Sequence, residues 1–102
     1  MTAVDDEDAL TALGAGGALV VIDFGATWCK NCKKLKPFCE KLAAQFPGAK
    51  FCEVDIDDAE ELAVSYNVSA VPHFVLLKGG KKLDEYVGSK EADIEALVVK
   101  YK

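Results

Sequence analysis

The stretch Val21-Ile22-Asp23-Phe24-Gly25-Ala26-Thr27-Trp28-Cys29-Lys30-Asn31-Cys32-Lys33 decides how this chain is read. Its first half completes an apolar run from Leu19 to Phe24, the pattern of a strand buried on both faces. Its second half opens a helix. From Cys29 to Phe46 a stripe of Cys32, Leu35, Cys39, Leu42 and Phe46 advances in steps of three and four, with Phe38 alongside. A strand that passes into a helix with two cysteines at the junction puts the first sulfur at a helix N-terminus. Unpaired backbone N–H groups and the helix dipole stabilise a thiolate there. A thiolate attacks disulfides and a thiol does not, so the junction reads as a redox site.

The same spacing gives the two sulfurs different surroundings. Cys32 falls on the apolar stripe and is expected to be largely covered, whereas Cys29 precedes the stripe and is expected to be reachable. Cys29 is therefore assigned the attack on a target disulfide, and Cys32 the resolution of the mixed disulfide. A zinc site would need two more ligands. Cys39 and Cys52 lack pair spacing and His73 is the only histidine, so no metal is expected. Cys39 on the stripe and Cys52 in a core strand read as small buried hydrophobes.

Flanking elements alternate in type. Asp5 to Leu13 has acidic residues in its first turn and Gly14 near its end, the marks of a short helix. Pro47-Gly48 stops the long helix, and Pro37 inside it cannot donate to the Lys33 carbonyl and should kink it. Phe51 to Ile56 reads as a strand and Ala59 to Tyr66 as a short helix. Phe74 to Lys78 and Lys82 to Val87 form strands joined through Gly79-Gly80, a hairpin signal. Glu91 to Lys100 closes with a helix carrying Ile94, Leu97 and Val98 on one face. The alternation implies an α/β fold with helices on both faces of a mixed sheet, its first strands parallel and its hairpin antiparallel. Thr2 to Val4 offers room for a further edge strand.

Composition sets the context. A chain of 102 residues with 51% hydrophobic content suits one globular domain, residues 1–102. The longest apolar run, Ala18 to Ile22, is far below the roughly 18 residues that cross a bilayer, so no membrane segment is expected. Asp5-Asp6-Glu7-Asp8 stands where a secretory signal needs basic residues, which points to a reducing, cytoplasmic setting. A net charge of −5 argues against nucleic acid as a partner. All 12 basic residues are lysines, and Lys30, Lys33, Lys34 and Lys36 crowd the cysteine pair, either as a solvated face or as a charge that tunes or steers the site.

Val21 to Cys29, Cys32-Lys33 and Lys36-Pro37-Phe38, followed by Phe51 to Asp57, Val71-Pro72, Lys78-Gly79-Gly80 and Val87-Gly88, together resemble the thioredoxin family in order and separation over nearly the whole chain. The resemblance implies a thioredoxin fold, a central mixed sheet of four to five strands flanked by four helices. It implies a protein-disulfide reductase with no bound cofactor, the electrons residing on Cys29 and Cys32 and supplied from NADPH through a thioredoxin reductase. Disulfide-containing proteins would be its targets, and the chain would be a monomer.

Asp23, the one charge in an apolar strand, matches the acid/base behind the resolving cysteine, and burial should raise its pKa. Pro72 matches the cis-proline facing the cysteines, and Trp28, Val71 and Gly88 match the surface that contacts targets. The central pair departs from the usual Gly-Pro: Lys30-Asn31 is expected to tune the site, through the Lys30 charge and an Asn31 N–H directed at the Cys29 sulfur. His73 stands where threonine is usual. It can titrate near neutrality, but a lone histidine entering a strand is read first as packed and hydrogen-bonded. Competing readings are a thioredoxin-fold oxidase or isomerase, a glutathione-linked variant, and a redox-switched binding module.

Overall fold

In the computed structural model, which describes residues 1–102, the chain runs β1 (Thr2–Ala3), α1 (Glu7–Leu13), β2 (Val20–Gly25), α2 (Lys30–Gln45), β3 (Lys50–Asp55), α3 (Glu60–Ser65), β4 (His73–Lys78), β5 (Lys81–Val87) and α4 (Glu91–Tyr101). The strands form one sheet in the order β1-β3-β2-β4-β5. β3 lies parallel to both β1 and β2, while β4 is antiparallel to β2 and to β5. This is the mixed α/β sheet that the alternation of elements implies, with Thr2–Ala3 supplying the fifth strand.

Local chemistry accounts for the element ends. Asp6 caps α1 by accepting the Ala9 N–H at 2.7 Å, so the helix begins at Glu7 rather than Asp5. Gly79 and Gly80 have φ of 60° and 77°, the left-handed pair that a two-residue hairpin requires. Pro37 is accommodated within α2. No helix is long and apolar enough to cross a membrane.

Period-two alternation along the central strands divides the core into two layers. Val20, Ile22 and Phe24 of β2, with Val75 and Leu77 of β4, pack against Leu10 of α1 and Leu62 of α3. On the opposite face Val21, Phe74 and Leu76 pack against Leu35, Cys39 and Leu42 of α2 and Ile94 and Val98 of α4. Asp23 falls on this second face, beneath α2. Register then gathers the site. Phe24 opposes His73 and His73 opposes Val87, so the end of β2, the start of β4 and the end of β5 meet at one end of the sheet.

Candidate active site

α2 begins where β2 leaves the sheet, and Cys29 occupies its N-cap with extended backbone angles (φ −87°, ψ 110°). The Cys29 Sγ accepts the Cys32 N–H at 3.2 Å, as an N-cap side chain accepts from the third helical residue. Cys29 and Cys32 are joined as a disulfide, with their Cα atoms 5.3 Å apart. The donor to the sulfur is therefore the Cys32 N–H, not the Asn31 N–H that the sequence suggested. Cap geometry, not the identity of the central pair, selects it. Lys30 and Asn31 are both exposed.

Exposure of the two sulfur-bearing residues is the reverse of what the apolar stripe implied. Cys29 is 7% exposed, whereas Cys32 is half-buried. Periodicity counts only what α2 packs against. Cys32 borders Gly25, where a Cβ would come within 3.2 Å of the Cys32 Sγ, so a glycine on β2 leaves this sulfur uncovered. Cys32 also lines a cleft of about 360 Å³, together with Ala3, Asp23, Gly25, Lys36 and Glu53.

Asp23 is 9% exposed, and its Oδ1 has no hydrogen-bond partner. Its carboxyl is pushed up to about 7, chiefly by burial, with the Glu53 charge adding to the rise and Lys36 opposing it. Glu53 is the register partner of Asp23 on β3, and Lys36 Nζ lies 3.8 Å from Glu53 Oε1. Burial with an elevated pKa is what the sequence led one to expect for Asp23. The Lys36–Glu53 pair was not foreseen. Its only sequence signals were membership of the lysine cluster and a charge in a core strand.

Trp28 is 65% exposed, more than ordinary packing would leave it, and its Nε1 donates to Asp57 Oδ2 at 2.9 Å. The Val71–Pro72 bond is cis, in keeping with the resemblance. Pro72 is buried and Val71 half-buried, and the Gly88 N–H donates to the Pro72 carbonyl at 3.1 Å, tying the segment before β4 to the end of β5. Gly88 has φ 147°, and a Cβ there would fall 2.7 Å from the Tyr86 hydroxyl. That hydroxyl donates to Asp93 and accepts the Lys90 N–H. Gly88→Ala is thus expected to destabilise the protein by about 1–3 kcal/mol, through the backbone conformation and the displaced tyrosine, as a fall in the urea midpoint would show.

His73 is 3% exposed and its Nε2 lies 2.8 Å from Glu85 Oε1; Glu85 in turn contacts Lys82 at 2.6 Å. It is packed and hydrogen-bonded, and it faces the α1–α3 layer with Phe24, away from Asp23. Cys39 and Cys52 are buried at 2% and 0% exposure, on opposite faces of the sheet. Burial pushes both thiols up to about 12, with the Asp23 charge adding to it, which makes them unreactive. Cys39→Ala or Cys52→Ala is expected to lower stability by roughly 1–2 kcal/mol and leave turnover nearly unchanged. Iodoacetamide should label Cys29 of the reduced native protein well before either of them. No group of three or more His, Cys, Asp or Glu side chains is arranged to hold a metal ion.

Comparison with known proteins agrees with this geometry. Residues 3–100 match the family model described as Thioredoxin. An H-type thioredoxin from Oryza sativa subsp. indica is 40% identical over 98 residues, covering 95% of this chain and 80% of that protein. A thioredoxin from Equus caballus is 42% identical over 84 residues, or 82% and 80% of the two chains. The crystal structure of Fasciola hepatica thioredoxin superposes with a TM-score of 0.96 at 36% identity, covering both chains completely. A match of this extent, around a disulfide seated at the mouth of α2, places the chain in the thioredoxin family of protein-disulfide oxidoreductases.

Proposed function

We propose that this chain works in the reducing direction, as a monomeric cytoplasmic carrier that a thioredoxin reductase recharges with electrons from NADPH. The Cys29 thiolate attacks one sulfur of a target disulfide. A bond forms between the Cys29 Sγ and that sulfur, the target's own S–S bond breaks, and the released thiolate takes a proton from solvent. Cys32 then gives its proton to the Asp23 carboxylate and its sulfur attacks the Cys29 Sγ. The Cys29–Cys32 bond forms, the second target thiolate leaves, and two electrons have passed to the target. Trp28, Val71, Pro72 and Gly88 form the surface on which the target segment lies.

The observation that carries this reading is the placement of Cys29 at a capped helix N-terminus while Cys32 shares a cleft with Asp23. One sulfur sits where a thiolate is stabilised, the other beside a group able to take its proton near neutral pH. Lys30 adds an exposed, screened positive charge beside Cys29 and tunes the pair weakly; Asn31 makes no contact that would add to it. Turnover of insulin disulfides with NADPH and a thioredoxin reductase tests the reading. Absence of turnover, with a glutathione titration placing the pair on the oxidising side of the cytosolic pool, would instead favour an oxidase or isomerase.

A further inference from the structure

A 360 Å³ cleft opens beside Cys32, on the α2–β3 side of the site, and it does more than expose a sulfur. Its inner wall is Asp23, whose Oδ1 is buried and unpartnered. Its remaining charged lining comprises Lys33, Lys36, Glu53 and Asp55, with Gly25 and Ala3 keeping it open. Lys36 of α2 and Glu53 of β3 also pair with each other across it, at 3.8 Å, with side chains 55% and 35% exposed. Glu53 is adjacent to Asp23 in the parallel ladder and on the same face of the sheet, so no strand or side-chain layer separates the two carboxyls.

We propose that the Lys36–Glu53 ion pair is a positioning pair for the resolving step: it holds opposed charges at the cleft and so governs the protonation of Asp23 as Cys32 gives up its proton. The inference rests on the assignment of Asp23 as the proton acceptor made above. In the step concerned the Cys32 S–H proton moves to the Asp23 carboxylate, and the sulfur's electron pair makes the bond to the Cys29 Sγ. The bond from Cys29 to the target sulfur breaks, and the target thiolate departs with that electron pair. Asp23 returns its proton to solvent before the next cycle.

Coulomb interaction gives the two partners opposite signs. A negative Glu53 beside Asp23 disfavours a second carboxylate, while a positive Lys36 favours it, and both are the charge effects acting on Asp23 after burial. The other titratable groups around Asp23 do not compete for this role. Cys39 of α2 and Cys52 of β3 have thiols held up to about 12 by burial, and β4 opposes Asp23 with the apolar Phe74. Cys32 is the proton donor itself, and Lys33 and Asp55 make no ion pair.

The test uses the full chain in its reduced form and as a Cys29 mixed disulfide with a chromophoric thiol, whose release reports resolution directly. Asp23 is followed by its carboxyl carbon shift against pH, and resolution by stopped-flow over the same range. Glu53→Gln is expected to move both midpoints down and Lys36→Met to move both up, each by a few tenths of a pH unit. Lys36→Arg should keep the wild-type values. A mere structural role would not give opposite signs with rescue by the charge-conserving variant. Unmoved midpoints, or two shifts of the same sign, in a protein where Asp23→Asn still abolishes the resolving midpoint would overturn the inference alone. A resolving midpoint that survives Asp23→Asn would overturn the proton-acceptor assignment and the inference with it.

Discussion

Cys29→Ser is expected to lower disulfide reduction by about three orders of magnitude or more, and Cys32→Ser to trap a covalent adduct with the target instead. A serine hydroxyl at a helix N-cap is not ionised near neutral pH, so removing the Cys29 sulfur removes the attacking group outright. Removing the Cys32 sulfur leaves the attack intact and the mixed disulfide with nothing inside the protein to resolve it. Mass spectrometry after incubation with a disulfide substrate should show a stable, dithiothreitol-reversible adduct for Cys32→Ser and none for Cys29→Ser. Cys32 is the more exposed of the two in the disulfide form, but only Cys29 holds the helix N-cap where a thiolate is stabilised. An adduct on Cys29→Ser would give the attack to Cys32.

Asp23→Asn is expected to stabilise the oxidised protein by about 2–4 kcal/mol at pH 8 and, near pH 4, to leave it unchanged or up to about 2 kcal/mol less stable. Asp23 titrates at about 7 in the folded chain against an ordinary 3.8. Between those values the native state holds a proton that the unfolded state has lost. Stability conferred by that protonation is complete below the unfolded pKa and is lost as pH rises through the folded one. The full difference, at about 1.4 kcal/mol per unit, sets the upper end of the range. The lower end allows for the asparagine NH₂, which enters a site where Oδ1 already lacks a partner. Urea unfolding of both oxidised proteins from pH 4 to 9 decides it. A gap that stays constant across this range would mean that packing, not ionisation, separates the two.

Much of the fold was legible because the central strands are covered by helices on both sides. Leu19 to Phe24, apolar except for Asp23, and Phe74 to Lys78, apolar up to its last residue, could be read as strands from that character, and the glycine pair between β4 and β5 marked its turn. The isolated charge of Asp23 in such a run was enough to predict burial and a raised pKa. What escaped the sequence was the particular side-chain neighbours that separate elements bring together. The stripe on α2 correctly gave Leu35, Cys39 and Leu42 to the core but misjudged Cys32, because its cover depends on Gly25 of β2. The sulfur's donor depends on cap geometry, and Asn31 looked plausible only because its predecessor in the family pattern is a proline without an N–H. Trp28 finds Asp57, His73 finds Glu85 and Lys36 finds Glu53, and each pair joins segments that no periodicity links.

Strand β2 has a hydrogen-bonded neighbour along both flanks, β3 on one side and β4 on the other, whereas β1 is held by one neighbour over two residues. Amide exchange should divide accordingly. Protons on Val21 to Phe24 can meet solvent only when the whole sheet opens, so they report global unfolding, while those of Thr2 and Ala3 escape through cheap local fraying. The segment that leads into the redox pair is therefore anchored in the slowest-exchanging part of the molecule, and the geometry around the sulfurs lasts as long as the native state does.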